Sequence, residues 1–139
     1  HLDFDAPALQ ANRDVAPLWL CHAPQVREND ALQTQCDTLL QVPLAPDGQL
    51  DLAALMQALG LRGLTSVLCE GGGQLAASLL RDQLVDDVIL YTAGLALGAD
   101  ALPGLGDLAL SHLHLAPRFE LISARKIGSD IRQDWRRLL

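Results

Sequence analysis

Apolar positions fall along the chain in short blocks separated by breakers, and the spacing within each block indicates its element. Pro17-Leu18-Trp19-Leu20-Cys21-His22 is an apolar run held between Pro17 and Pro24, and Thr38 to Val42 is a second, closed by Pro43. Both have the length and composition of buried strands. Pro46-Asp47-Gly48 is a turn signal. Asp51 then stands where a helix cap belongs, and Leu52, Leu55, Met56 and Leu59 recur at i, i+3, i+4 and i+7, which places them on one helical face with Gly60 as the stop.

Leu64 to Cys69 predicts a third buried strand. Glu70 and the three glycines Gly71, Gly72 and Gly73 turn the chain sharply into a helix from Gln74 to Arg81, with Leu75 and Leu79 one turn apart. Val88-Ile89-Leu90-Tyr91, within an apolar stretch from Val85 to Ala93, is apolar on both faces, as an interior strand of a mostly parallel sheet should be. The order of strand, helix, strand, helix and strand is a βαβ pattern. Gly94 to Gly106 holds too many breakers for a regular element and predicts a long loop. Leu113 to Ala124, interrupted by Pro117, and Ile131 to Leu138, after Gly128-Ser129-Asp130, predict an antiparallel hairpin. His1 to Asp14 is polar and carries Pro7 and Asn12, the pattern of an irregular connector.

Composition sharpens the picture. Half of the 139 residues are hydrophobic but only 4% are aromatic, so the core is expected to be aliphatic and the class α/β, within one domain. A net charge of −7 leaves no excess of cation for a polyphosphate backbone, which argues against DNA or RNA as a partner. Cys21, Cys36 and Cys69 are odd in number and form no C-x-x-C pair. They read as reduced thiols of a cytoplasmic protein rather than a disulfide framework or zinc ribbon. No apolar run approaches the roughly 18 to 20 residues of a membrane span, and no leader pattern is evident. The chain opens on His1-Leu2-Asp3 without methionine, so its start is expected to be a cut in a longer polypeptide.

The glycine corner is the place where chemistry could reside. Glycines between a strand and a helix let a ligand approach the backbone, and the first helical turn offers unpaired N–H groups at the positive end of the helix dipole, an anion site suited to a phosphate. A tight structural turn explains the same three glycines equally well. Gly73 is followed by Gln74-Leu75 rather than Lys and Ser or Thr, which disfavours a P-loop, and no G-x-G-x-x-G is present. Elsewhere the ordinary readings are preferred. His112 and His114 are expected to share one strand face as a solvated pair rather than hold a metal. Cys69 should be a small buried side chain. Asp86 and Asp87 should point to opposite faces, one pairing or capping and the other meeting solvent. Arg125-Lys126 and Arg136-Arg137 should be solvated strand ends.

The stretch from Leu64 to Gly98 closely resembles the reductase domain of the bifunctional riboflavin-biosynthesis deaminase/reductase. It is carried by the Glu70-Gly71-Gly72 turn, by Leu84-Val85-Asp86-Asp87 leading into the next strand, and by the glycine-closed loop at Gly98. Looser likeness extends through Leu50-Asp51-Leu52 and Ile127-Gly128-Ser129-Asp130, so most of the chain is covered. Gly94 stands where the family usually has proline.

The resemblance implies an α/β, dihydrofolate-reductase-like fold, with a mostly parallel sheet flanked by helices and a C-terminal antiparallel hairpin. It implies NADPH-dependent reduction of 5-amino-6-(5-phosphoribosylamino)uracil, a pyrimidine ribosyl phosphate, to the ribitylamino product. By position, Glu70 would touch the substrate, and Gly71, Gly72, Gly73, Gln74, Leu75, Ala76, Ala77 and Ser78 would line the cofactor. A homodimer is expected. The upstream part of the reductase domain, and any deaminase domain, are expected to precede His1. With part of the domain outside the chain, the alternative is a noncatalytic nucleotide-binding or oligomerisation lobe of the same fold.

Overall fold

The structure, a computed structural model, describes residues 15–26 and 30–138, so the predicted connector at His1 to Asp14 lies outside the described residues. The chain divides after Thr65 into two compact units.

In the first unit, β1 (Trp19–His22) and β2 (Thr38–Gln41) pair in parallel, Trp19 opposite Thr38 and His22 opposite Gln41. The short helix α1 (Asp30–Gln35) connects them. It lies in the polar interval for which hydrophobic spacing predicted no element. The pair is tied at its start by Leu18, whose N–H donates to Asp37 Oδ2 at 2.7 Å while its carbonyl accepts from Asp37 N at 2.8 Å.

Past β2, Pro46-Asp47-Gly48 turns as its sequence predicts. Gly48 N donates to Ala45 O, Ala45 N to Gln49 O, and Gly48 takes φ +81°, the left-handed residue that a hairpin of this length requires. Helix α2 (Leu52–Gly60) follows with Asp51 as its cap, Oδ1 accepting from Ala54 N at 2.9 Å. Leu52 is buried and Leu55, Met56 and Leu59 are half-buried, the face that their spacing predicted. The core of this unit is Cys36, Leu40, Val42 and Leu52. Cys21 is half-buried, and burial pushes its thiol up against the opposing pull of Arg62.

The stop of α2 is Gly63 rather than Gly60. Gly63 adopts φ +87°, its N–H bonds Gly60 O, and Leu64 N bonds back to Leu59 O. This paired closure needs a left-handed residue beyond the helix end, immediately before the residue whose N–H reaches back to Leu59 O, so Gly63 meets the requirement and Gly60 stays helical.

In the second unit, helix α3 (Gly73–Arg81) precedes β3 (Asp87–Thr92), and β4 (Phe119–Ile127) and β5 (Asp130–Arg137) form the predicted hairpin. The sheet order is β3-β5-β4, antiparallel throughout. Gly128, at φ +60°, is the first of the two turn residues between Ile127 and Asp130. Ala77 and Leu79 of α3 are buried.

Three expectations need correction here. Leu64 to Cys69 forms no strand: it joins no described ladder, Leu64, Val67 and Leu68 are exposed, and so is Cys69. With no described strand on its other side, β3 has β5 as its one described neighbour, and most of it is exposed. Pro117 starts the hairpin instead of interrupting it. Leu113–Leu115 is a single 3-10 turn, and β4 begins at Phe119, because proline cannot donate to a ladder. His112 and His114 therefore do not alternate along a strand; their rings stack with centroids 5.4 Å apart.

Candidate functional site

The candidate site is assembled at the start of α3. Gly72 occupies the cap position in extended conformation, φ −65° and ψ 170°, and supplies no side chain to the helix end. The first turn holds no acidic residue. Ala76 N reaches Gly72 O at 3.2 Å, so the N–H groups of Gly73, Gln74 and Leu75 precede the helical hydrogen-bond pattern, and no described acceptor takes them. Donors of this kind at the positive end of a helix favour an anion by roughly 0.3 to 1 kcal/mol at an exposed position.

None of the three glycines has a positive φ, so left-handed freedom is not why they are there. Space is the reason at two of them. A Cβ on Gly71 would meet Leu75 Cδ2 at 2.6 Å, because Leu75 folds back over the corner. A Cβ on Gly73 would lie 3.1 Å from Gly106 N and from Pro103 O and 3.2 Å from Gly104 O. Gly106 is the counterpart: its N–H donates to Gly73 O at 2.9 Å, and its own Cβ would lie 3.0 Å from that oxygen. Loop and helix thus touch backbone to backbone, and the loop closes one flank of the corner. Around Gly72, by contrast, a Cβ would find nothing within 4 Å. The corner is open on the Gly72 side, and a ligand can come to the free amides from there.

The other predicted site residues distribute unevenly. Glu70 is exposed, two residues before the cap. Gln74 and Leu75 sit in the first turn, both exposed. Ala76 is half-buried and Ala77 directs its methyl into the core, so any ligand contact by Ala77 would be through the main chain. Ser78 lies a turn further on, and its Oγ accepts from Arg81 Nη2 at 3.2 Å. Residues 70 to 75 are therefore grouped at the corner, while Ala77 and Ser78 are turned to other tasks. Hydrophobic patterning did not reveal the part played by Pro103 to Gly106. The density of breakers there marked a loop, and the small residue at Gly106 was the one signal of a close approach.

The charged strand ends Arg125, Lys126 and Arg136 are solvent-exposed as expected, and two of them also form contacts. Asp134 accepts from Ser123 Oγ at 2.6 Å and from Arg132 Nε and Nη2 at 2.9 and 2.6 Å, with Arg125 Nη2 at 3.5 Å. Ser123 first and Arg132 second hold the Asp134 carboxyl below the usual carboxylate range. The register shift between Leu121 and Ser123 brings Ser123 opposite Asp134. Arg136 Nε pairs with Asp87 Oδ1 at 3.0 Å, while Asp86 is exposed and joins the sheet only through its backbone carbonyl, which accepts Arg137 N. These contacts lock the three strands together. Among the described residues no cluster of three His, Cys, Asp or Glu side chains is placed to hold a metal ion. No described helix is long and apolar enough to cross a membrane.

Comparison with known proteins fits this geometry. Residues 1–132 match the family described as RibD C-terminal domain. The chain is 42% identical over 89 residues to the riboflavin biosynthesis protein RibD of Escherichia coli K12, an alignment covering 60% of the chain and 23% of that protein. Against the protein of the same name from Haemophilus influenzae it is 33% identical over 118 residues, 84% of the chain and 30% of the relative. The chain thus spans less than a third of the length of these curated relatives.

Among solved structures, Acinetobacter baumannii RibD superposes with a TM-score of 0.74 at 22% identity, covering 99% of this chain and 35% of that one. A pyrimidine reductase-like protein from Corynebacterium diphtheriae gives 0.70 at 17% identity, covering 100% of this chain and 58% of that one. Likeness at these identities speaks to the fold, and the α/β, dihydrofolate-reductase-like class is borne out. With a family match over nearly its whole length, the chain belongs to the RibD C-terminal domain family.

Proposed function

We propose that the polypeptide carrying this chain is an oxidoreductase of riboflavin biosynthesis that uses NADPH to reduce 5-amino-6-(5-phosphoribosylamino)uracil to its ribitylamino product. Family membership supports the class of reaction. The observation that carries the cofactor is the helix start left uncapped at Gly72, open on one side and fitted with three amides that no described group uses. A phosphate group fits such a cradle because the amides and helix dipole are complementary to it and no side chain obstructs its approach.

In this reading the amides of Gly73, Gln74 and Leu75 receive a cofactor phosphate, and Gly71 and Gly72 keep its approach clear of side chains. Ala76, Ala77 and Ser78 continue the cofactor-lining stretch through the main chain and the helix flank. When bound, NADPH would supply a hydride to the anomeric ribosyl carbon, the one joined to the amino nitrogen. As that C–H bond forms, the bond from the carbon to the ribose ring oxygen breaks, and the freed oxygen takes up a proton to become a ribityl hydroxyl. Glu70, exposed at the lip of the corner, accepts hydrogen bonds from the substrate and fixes the reacting carbon against the cofactor, the placement on which such a reaction depends. The protein acts in the cytoplasm as a homodimer. The thiols of Cys21, Cys36 and Cys69, none of them joined in a disulfide, support the first point, and exposed Leu121 and Ile131, which share one face of the three-stranded sheet, support the second.

The test uses the full polypeptide. NADPH oxidation should require the pyrimidine substrate, and NADPH alone should raise the unfolding temperature progressively with its concentration. Glu70→Gln should lower kcat/KM by roughly 10- to 100-fold, the worth of a hydrogen bond to a charged group, with the unfolding midpoint unchanged. Intact folding without any NADPH-dependent shift would refute the cofactor site and leave a noncatalytic lobe.

A further inference from the structure

The second unit has another concavity, at the end of α3 away from the glycine corner. It encloses about 360 Å³, within the size range of small-molecule sites. Its apolar lining includes Leu80 and Val85 together with Leu108, Leu115, Pro117 and Phe119. Into this surface are set Arg81, Arg118 and Arg137, with His114 beside them.

The sign of the charge is the informative feature. The chain has 17 Asp and Glu against 10 Lys and Arg, yet three of the ten cations line this one cavity and, among the described residues, no Asp or Glu does. Two of the arginines are already positioned. Arg137 is half-buried on β5, and its Nη1 donates to the Gln83 carbonyl. Arg81 Nη2 donates to Ser78 Oγ, and its Nε lies 3.8 Å from Asp82 Oδ1. Arg118 is fixed through its backbone, since its carbonyl accepts Leu138 N at 3.0 Å. Its guanidinium pairs with no described carboxylate, so its planar set of donors is available.

A helix C-terminus would ordinarily repel an anion, but here its end is closed. Leu84 N and Gln83 N take the carbonyls of Leu79 and Leu80, and Arg137 takes that of Gln83. Three guanidiniums around an apolar hollow repel one another until an anion enters. The apolar walls, in turn, reward a ligand that carries more than a bare ion.

We propose that this cavity binds a small molecule with an oxyanion head, a carboxylate or a phosphate monoester, on an apolar body. Arg118 takes the head, flanked by Arg137 and Arg81, and the body lies along Leu80 and Phe119. The site is separate from the glycine corner, because the length of α3 sets the two roughly 12 Å apart along the helix axis, and it does not depend on the function proposed above.

The experiment titrates the full polypeptide calorimetrically, at fixed ionic strength, with phenyl phosphate, benzoate and the neutral benzyl alcohol. At least one of the two anions should bind saturably while benzyl alcohol does not. Whichever anion binds more tightly identifies the head as phosphate or carboxylate. Arg118→Gln should weaken that binding about tenfold, the loss expected for a charge-assisted hydrogen bond, with the unfolding midpoint unchanged. The proposal is overturned if neither anion binds saturably, if benzyl alcohol binds as tightly as the anions, or if Arg118→Gln binds as well as the parent.

Discussion

Helices α2 and α3 are both nine residues long and close with the same pair of backbone hydrogen bonds, yet they begin in opposite ways. Asp51 turns its carboxylate onto the Ala54 amide, so the start of α2 is satisfied by the protein itself. Gly72 has no side chain to offer α3, and the amides that follow it face an opening. A capping side chain and a bound anion compete for the same donors. The first helix has used its donors for stability, whereas the second keeps them for something that arrives from outside. The contrast holds within one chain, so composition and solvent conditions do not account for it.

The strongest way to break the comparison is to give α3 the cap that α2 has. Gly72→Asp adds a side chain where a Cβ meets nothing within 4 Å, so the change introduces no clash. Its carboxylate would take the N2 or N3 amide and present a negative charge to any phosphate. The expected result is a split: stability unchanged or raised by a few tenths of a kcal/mol, and NADPH affinity lowered more than tenfold. Unfolding curves and NADPH titrations of the same sample read the two effects. If both stay at parental values, the corner is a structural turn.

How much of this was legible in the sequence follows the range of the interactions involved. Asp51, the Pro46-Asp47-Gly48 turn and the Leu52, Leu55, Met56, Leu59 face are set by residues a few positions apart, and each took the form that its pattern predicted. Leu64 to Cys69 failed because a strand is a relation between two segments. The run has strand-like residues, but no described neighbour supplies a ladder. The contact between Gly73 and Gly106 joins a helix start to a distant loop, and nothing local to either glycine specifies the other. At the candidate site, the pattern alone fitted a ligand loop or a plain turn. The resemblance singled out Glu70 and the residues after it, and the geometry adds which side of the corner is open.

A second test addresses the helix that needs no ligand. Asp51→Ala should destabilise the protein by about 1 kcal/mol, the usual cost of removing a capping side chain. NADPH affinity should be unaffected, and denaturant unfolding beside an NADPH titration separates the two. A loss of NADPH binding at this position would mean that the two helix starts are not independent, and the division of labour drawn from them would fail.

The smallest effect concerns the ends that the helices share. Both closures require a left-handed residue, and α2 supplies Gly63 at φ +87° while α3 uses Gln83 at φ +58°. A side chain in that conformation costs about 1 to 2 kcal/mol relative to glycine's freedom to adopt it. Glycine in turn loses more entropy on folding, by roughly 0.4 to 1 kcal/mol. Gln83→Gly should therefore stabilise by about 0.5 kcal/mol, since the Gln83 carbonyl that accepts Arg137 is retained. The reverse exchange, Gly63→Gln, meets no atom within 4 Å of its Cβ, so only the conformational cost remains and stability should fall by a similar amount. Opposite signs in chemical denaturation of the two variants would show that the closures are equivalent and that the helices differ at their starts alone. Equal signs would place part of the difference between α2 and α3 at their far ends.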